Sequence, residues 1–509
     1  MTPNGPSRRP YGLGMPRQLV LLATAVAVLV GCLYTLSPVG VWCGVGVVGL
    51  LTWAGTGLPD RERRWLLSLL AVALGLRLLV VIGLFLLTDP DQRPLVSFFF
   101  DGDGQYVKQK SLWFRNWWLN VPIHQDYFRQ AFETYGWSGY IYVIAYLQYL
   151  LGPAPFGIHL FNILLFLAAS VALYRLVRTA YTPAAALVGL TLLLFLPTLF
   201  AWSISALKES FHLFVGTAAL IAAVGIVRGR GRLQLLAVVG LVAAMAVLAT
   251  IRGGAFEIMA AGLAGGMLVR VLTLKKWVVV ATLVCLGAGL FAVSRRPDFL
   301  DRATSPILGG RSVRALIIPV LRGTASVHLG HAISPGHAYR LLDDSFYTTT
   351  SLDRVPAILP GSPDEATATL TFQELTRYVA RSAVAFLVVP LPWDSVSWSE
   401  IVLVPQQVVW YLMVPLALVG VVAGLRRDGL VTLLLVSYIV VAAVAISLSN
   451  GNIGTLVRHR DTVVPFIVWL SGLGAVYLVG WLASRRWLHS SDITAEENEL
   501  RQREFTATR

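Results

Sequence analysis

Apolar stretches of roughly 20 residues recur along the chain, separated by polar runs that hold most of its arginines and lysines, and a helix of that length crosses the hydrocarbon of a bilayer. The pattern predicts crossings at about 18–37, a second ending near 57, then about 65–88, 156–176, 182–202, 206–227, 233–251, 254–273, 277–294, 400–423, 429–448 and 462–484. The expected fold class is an all-α polytopic membrane protein with about 12 transmembrane helices, because only helices or closed barrels satisfy their backbones in lipid.

Basic loops orient these crossings. Arg8, Arg9 and Arg17 precede the first, and Asp60-Arg61-Glu62-Arg63-Arg64 follows the second, so residues 1–64 are expected to form a hairpin with both ends in the cytoplasm. The third crossing then runs outward and leaves 89–135 outside. Residues 137–152 are apolar but short, rich in tyrosine and closed by Gly152-Pro153-Ala154-Pro155, which suits a helix lying in the outer interface. On that reading Arg175/Arg178, Arg228/Arg230/Arg232, Lys275/Lys276, Arg426/Arg427 and Arg485/Arg486 all face the cytoplasm. The organisation expected is a transmembrane core over 65–294, an outer segment over 295–399, further crossings over 400–487 and a cytoplasmic tail over 488–509. The outer segment ends in an apolar stretch, Phe372 to Trp393, that reads as interfacial or re-entrant.

Composition narrows the class further. The chain is 56% hydrophobic and 13% charged, with a mean hydropathy of +0.69, too little charge to cover a soluble surface. Its net charge of +14 sits mostly beside apolar stretches, which points to anionic membrane lipids and not to nucleic acid. Cys32, Cys43 and Cys285 lie in apolar stretches at spacings that suit neither a disulfide framework nor zinc. The first apolar stretch lacks a small-residue cleavage site and reads as a retained helix. The chain has no sequence repeat, P-loop or dinucleotide fingerprint.

Several charged groups fall on the outer side. Asp101-Gly102-Asp103 suits a tight turn that presents a carboxylate as a base, or holds a divalent cation such as Mg or Mn, or simply turns the chain. Lys208 and Glu209 stand where a crossing begins, about 100° apart around a helix, so they face different neighbours. Arg252 and Glu257 flank the turn at Gly253-Gly254. Arg458-His459-Arg460 opens the last crossing, where helix N–H groups and guanidinium forks both favour an anion, although a salt-bridged loop using Asp461 or Glu209 would look the same. Arg77, near mid-membrane, is expected to pair with a carboxylate or line a wet cavity. His328, His331 and His337 have no zinc-ligand spacing.

Over 65–485 the layout resembles the GT-C superfamily of polyprenyl-phosphate-dependent membrane glycosyltransferases, whose members include protein O-mannosyltransferases and aminoarabinose transferases. Asp101-Gly102-Asp103 with Tyr106 is similar to the family's catalytic-carboxylate loop. Tyr140 to Gly152, followed by Phe161-Asn162 through Leu173-Tyr174-Arg175-Leu176, resembles its juxtamembrane helix and next crossing. Pro197 through Glu209 resembles a small-polar run ending in Glu, and Arg458-His459-Arg460 through Pro465 resembles its Arg-Tyr-Pro segment. Departures are Arg-His-Arg for Arg-Tyr, Asp-Gly-Asp for Asp-Glu, and an added amino-terminal hairpin. The resemblance implies transfer of a sugar from a polyprenyl-phosphate donor to an extracytoplasmic glycan, lipid or protein at a bacterial cytoplasmic membrane. Asp101 or Asp103 would be the base. Arg458, Arg460, Lys208 and Arg252 would hold the donor phosphate, and Glu209, Tyr106, His459 and Glu257 would contact substrate. An O-antigen polymerase or ligase is the nearest alternative, with Arg340 and the loop histidines in the leading roles. A lipid-linked glycan transporter or flippase is a further one.

Overall fold

Backbone amides find no water in hydrocarbon, and each described apolar stretch meets that demand by coiling into a helix. The structure, a computed structural model, describes residues 24–28, 31, 34, 38–87, 103–132, 138–273, 313–332, 370–390, 404–451 and 453–484. In chain order the elements are α1 (Pro38–Gly55), α2 (Asp60–Leu87), α3 (Asp103–Trp118), α4 (Gln125–Phe132), α5 (Gly139–Leu151) and α6 (Pro155–Ala180). They continue with α7 (Pro183–Phe195), α8 (Pro197–Ile204), α9 (Glu209–Arg228), α10 (Arg232–Ile251), α11 (Ala255–Thr273) and α12 (Val313–Ala332). The last are α13 (Phe372–Val388), α14 (Val404–Arg427), α15 (Gly429–Ser449), α16 (Ile453–Arg460) and α17 (Val464–Ser484). Among the described residues there is no strand.

Nine of the described helices are long and apolar enough to cross a membrane (α1, α2, α6, α9, α10, α11, α14, α15 and α17). The chain is thus a multi-pass all-α membrane protein. The crossing expected over 182–202 is broken: α7 and α8 meet at 62°, and together they make a tenth span if counted as one. Pro197 is the cause, since it has no N–H to continue the ladder. The crossings expected at 18–37 and 277–294 lie largely outside the described residues. The short stretch at 137–152 forms α5, whose 13 residues rise only about 20 Å against a hydrocarbon core of about 30 Å.

Ion pairs show which helix ends lie together. Glu62 at the start of α2 accepts from Arg178 near the end of α6, at 2.5 and 3.0 Å, and also from the Tyr174 hydroxyl. Arg175 caps carbonyls of the α1–α2 turn, Trp53 at 2.6 Å and Thr56 at 2.7 Å. Arg228 at the end of α9 pairs with Asp428 before α15. These basic groups share one end of the bundle, and Asp103, Glu209, Arg252 and Arg458 gather at the other.

Two features shape that second end. The first is a plate of short helices, α3 to α5, in which Gln148 of α5 donates to Ser111 of α3 at 2.9 Å and Arg115 of α3 returns a bond to the Gln148 carbonyl at 3.1 Å. Ser138 and Tyr140 tether the plate to the spans, through the Ile251 carbonyl at 2.8 Å and the Asn162 side chain at 2.9 Å. The second is a seam of small residues between α11 and α15. A Cβ on Gly262 would stand 2.7 Å from the Tyr438 Cα, and one on Gly266 would stand 2.9 Å from the Leu433 carbonyl oxygen. Such closeness needs glycine, and it locks the two helices together below the plate. The stretch read as interfacial or re-entrant becomes α13, started by a capping box between Thr371 and Glu374, with the Tyr378 hydroxyl bonded to the Leu448 carbonyl at the end of α15.

Candidate functional site

Asp103, Glu209, Arg252 and Arg458 come from four parts of the chain and form one ion-paired cluster. Asp103 opens α3, and its Oδ2 accepts from an Arg458 terminal nitrogen at 2.5 Å. The Arg458 Nε donates to the Glu209 Oε1 at 2.9 Å, and Arg252 reaches the same oxygen at 3.5 Å. The Glu209 side chain is 9% exposed and that of Asp103 is 69% exposed, so Glu209 is the buried hub and Asp103 the rim. Two cations justify the burial of Glu209, which would otherwise cost several kcal/mol. Its place as the first residue of α9 adds the favourable field of a helix amino terminus.

The turn that delivers Lys208 and Glu209 is fixed from α6. Asn162 donates to the carbonyls of Ser205 at 2.7 Å and Leu207 at 2.8 Å. Lys208, the residue before α9, has its pKa pushed down to about 8, first by burial and then by repulsion from Arg252. Arg458 goes the other way. Burial disfavours its charge, but Glu209 and Asp103 outweigh that and hold its pKa above the ordinary guanidinium value. For Arg252 burial prevails over the attraction of Glu209, and its pKa is lowered.

Beside the cluster is a cavity of about 520 Å³. It lies where α11 and α15 run past their glycine seam toward the plate, and Arg252, Glu257, Tyr438, Ser449 and His459 face it. Arg252 therefore links the ion-paired cluster to an open space large enough for a sugar ring. Tyr106 lies one turn along α3 from Asp103 and accepts a hydrogen bond from Lys110 at 2.7 Å.

Arg460 is not part of this assembly. It is 2% exposed, with its guanidinium on the carbonyls of Phe386 (3.3 Å) and Val389 (2.9 Å) and on the Gln407 side chain (2.8 Å). Its charge centre lies 4.6 Å from the Trp410 ring centroid. Two residues along a helix is a rotation of about 200°, so Arg458 and Arg460 point to opposite sides of α16. The expectation that both hold one phosphate is corrected accordingly. Burial lowers the Arg460 pKa to about 10.

Arg77 departs from expectation too. Its bonds go to Ser203 Oγ at 2.7 Å and to the carbonyls of Leu194 at 2.9 Å and Ala73 at 3.1 Å. The Phe166 and Phe200 rings lie 4.8 and 4.7 Å from its guanidinium carbon. Neutral dipoles and aromatic faces take the place of the expected carboxylate. His328 is fully buried, edge-on to Tyr378. Asp101, His337 and Arg340 lie outside the described residues, as does the His331 side chain. The Asp101–Asp103 cation site therefore falls partly outside them. Among the described residues no three His, Cys, Asp or Glu side chains converge as metal ligands.

Sequence reasoning passed over Trp202. Its indole N–H donates to Asp461 Oδ2 at 2.7 Å, and its ring centroid lies 5.6 Å from the Arg458 guanidinium carbon. An aromatic residue in an apolar stretch carries no mark of such a contact. No family model, curated protein or solved structure matches the chain.

Proposed function

We propose that the chain is an integral-membrane glycosyltransferase that moves a sugar from a polyprenyl-phosphate donor to an extracytoplasmic acceptor. One observation carries the reading: an exposed carboxylate, Asp103, is wired through Arg458 to a buried carboxylate and a second arginine beside a cavity. The positive-inside rule supports placing this end of the bundle on the outer face of a bacterial cytoplasmic membrane.

In the reaction, Asp103 takes the proton of the acceptor hydroxyl while that oxygen bonds to the anomeric carbon. The bond from the anomeric carbon to the phosphate oxygen breaks, and its electron pair stays on the departing lipid phosphate. Arg458, Arg252 and Lys208 stabilise that growing charge, and fixed cations do so most strongly where water is scarce. The arriving phosphate competes with Asp103 for Arg458, so donor binding frees the carboxylate to act as base. Glu257 and His459 meet the sugar in the cavity, and Glu209 keeps Arg458 and Arg252 in place between turnovers.

The test incubates purified protein with a panel of polyprenyl-phosphate sugars and follows transfer. Asp103→Asn is expected to lose roughly 10²- to 10⁴-fold, the usual weight of a positioned general base. Full transfer by both Asp101→Asn and Asp103→Asn overturns the reading.

A further inference from the structure

Pro197 leaves a broken rung in the α7–α8 span, and side chains from two other helices repair it. The Thr198 N–H, which in an unbroken helix would bond the Leu194 carbonyl, donates instead to the Gln406 Oε1 of α14 at 2.6 Å. The Leu194 carbonyl accepts from Arg77 of α2 at 2.9 Å. Arg77 also holds Ser203 at 2.7 Å, so one guanidinium grips both arms of the elbow and sets the angle between them. Trp202 is next to Ser203 on the outer arm, and the elbow thereby brings its ring up to Arg458. Asp461 completes the grip by accepting the indole N–H at 2.7 Å.

We propose that Trp202, locked by Asp461 and carried on an elbow held by Arg77 and Gln406, is a positioning residue that aims Arg458 at the donor phosphate. The inference rests on the phosphate-binding reading of Arg458 given above. Arg458 is a long side chain restrained by Asp103 on one nitrogen and Glu209 on another. When phosphate displaces Asp103, one carboxylate bond remains, and a single bond leaves the guanidinium plane free to swivel. The indole face supplies the second restraint, because a cation held against an aromatic ring keeps its attraction whatever the anion opposite.

A double-mutant cycle tests this with farnesyl phosphate as probe, binding to the purified full-length chain in detergent being measured by titration calorimetry. Trp202→Leu is expected to weaken binding about tenfold and Trp202→Phe about threefold, the ring being smaller but present. In an Arg458→Gln background either change is expected to cost less than twofold. Equal losses in both backgrounds overturn the positioning role and leave the phosphate reading standing. Unchanged affinity in Arg458→Gln alone overturns the phosphate reading itself. If the Arg458→Gln protein binds too weakly to titrate, or Trp202→Leu does not fold, phenylglyoxal labelling of Arg458 in Trp202→Phe, read by mass spectrometry, decides without ligand. Labelling severalfold faster than in wild type supports the proposal, and an unchanged rate overturns it.

Discussion

Arg77 and Arg458 are both arginines drawn into a helical membrane protein, and they are solvated in opposite ways. Arg77, fully buried, is surrounded by carbonyls, a hydroxyl and two phenylalanine rings. Arg458 is 24% exposed and shared between a buried carboxylate and one at the rim. Neutral dipoles built into the backbone cannot leave, so the first arrangement is permanent. A rim carboxylate can be displaced by another anion, so the second is exchangeable. In this protein a buried cation paired only with dipoles is therefore fixed in the fold, and one paired with an exposed acid is the one the proposed function assigns to chemistry.

The largest effect expected from that distinction is on transfer. Arg458→Gln should lower transfer per folded molecule about 10²- to 10³-fold, the range for removing one preorganised donor, and should also destabilise, because Glu209 keeps only the longer contact to Arg252. Transfer by the folded fraction close to wild type would erase the contrast. Next in size, Arg77→Leu should destabilise by about 3 kcal/mol, because the Leu194 carbonyl and Ser203 lose their partner and the rings lose their filling. Unfolding in graded sodium dodecyl sulfate measures it. Arg460→Gln sharpens the line between the two kinds. It should cost about 1–2 kcal/mol of stability through lost carbonyl bonds, with transfer by the folded fraction close to wild type.

The smallest effect concerns pH. Burial sets the Lys208 pKa at about 8, and phosphate binding favours its charged form. Farnesyl phosphate affinity should be full below pH 8 and fall a few-fold as pH rises through it, a fall that Lys208→Gln abolishes. A wild-type profile flat to pH 9 would remove Lys208 from the phosphate site.

Much of this was legible in the chain before any coordinates. The length of the apolar stretches marked the crossings, and the shortness of 137–152 marked α5 as different. Placing the basic loops at one end was enough to bring Asp103, Glu209, Arg252 and Arg458 to the other. The sidedness of Arg460 was legible in principle, since helical rotation separates it from Arg458. The break at Pro197 was written there too, although proline inside a membrane helix does not by itself say how sharply the chain bends. The partners of Arg77 and the stacking of Trp202 were not legible, because both depend on which helices become neighbours. That information lies in tertiary packing and leaves no local trace in composition or spacing.

The glycine seam between α11 and α15 also fixes a width. With Gly262 and Gly266 pressed against the opposite backbone, any spreading of the two helices would have to strip those contacts, so the space beside Arg252, lined from both helices, keeps its dimensions. A molecule entering it would meet walls already in place, and little of its affinity would be lost to reshaping them.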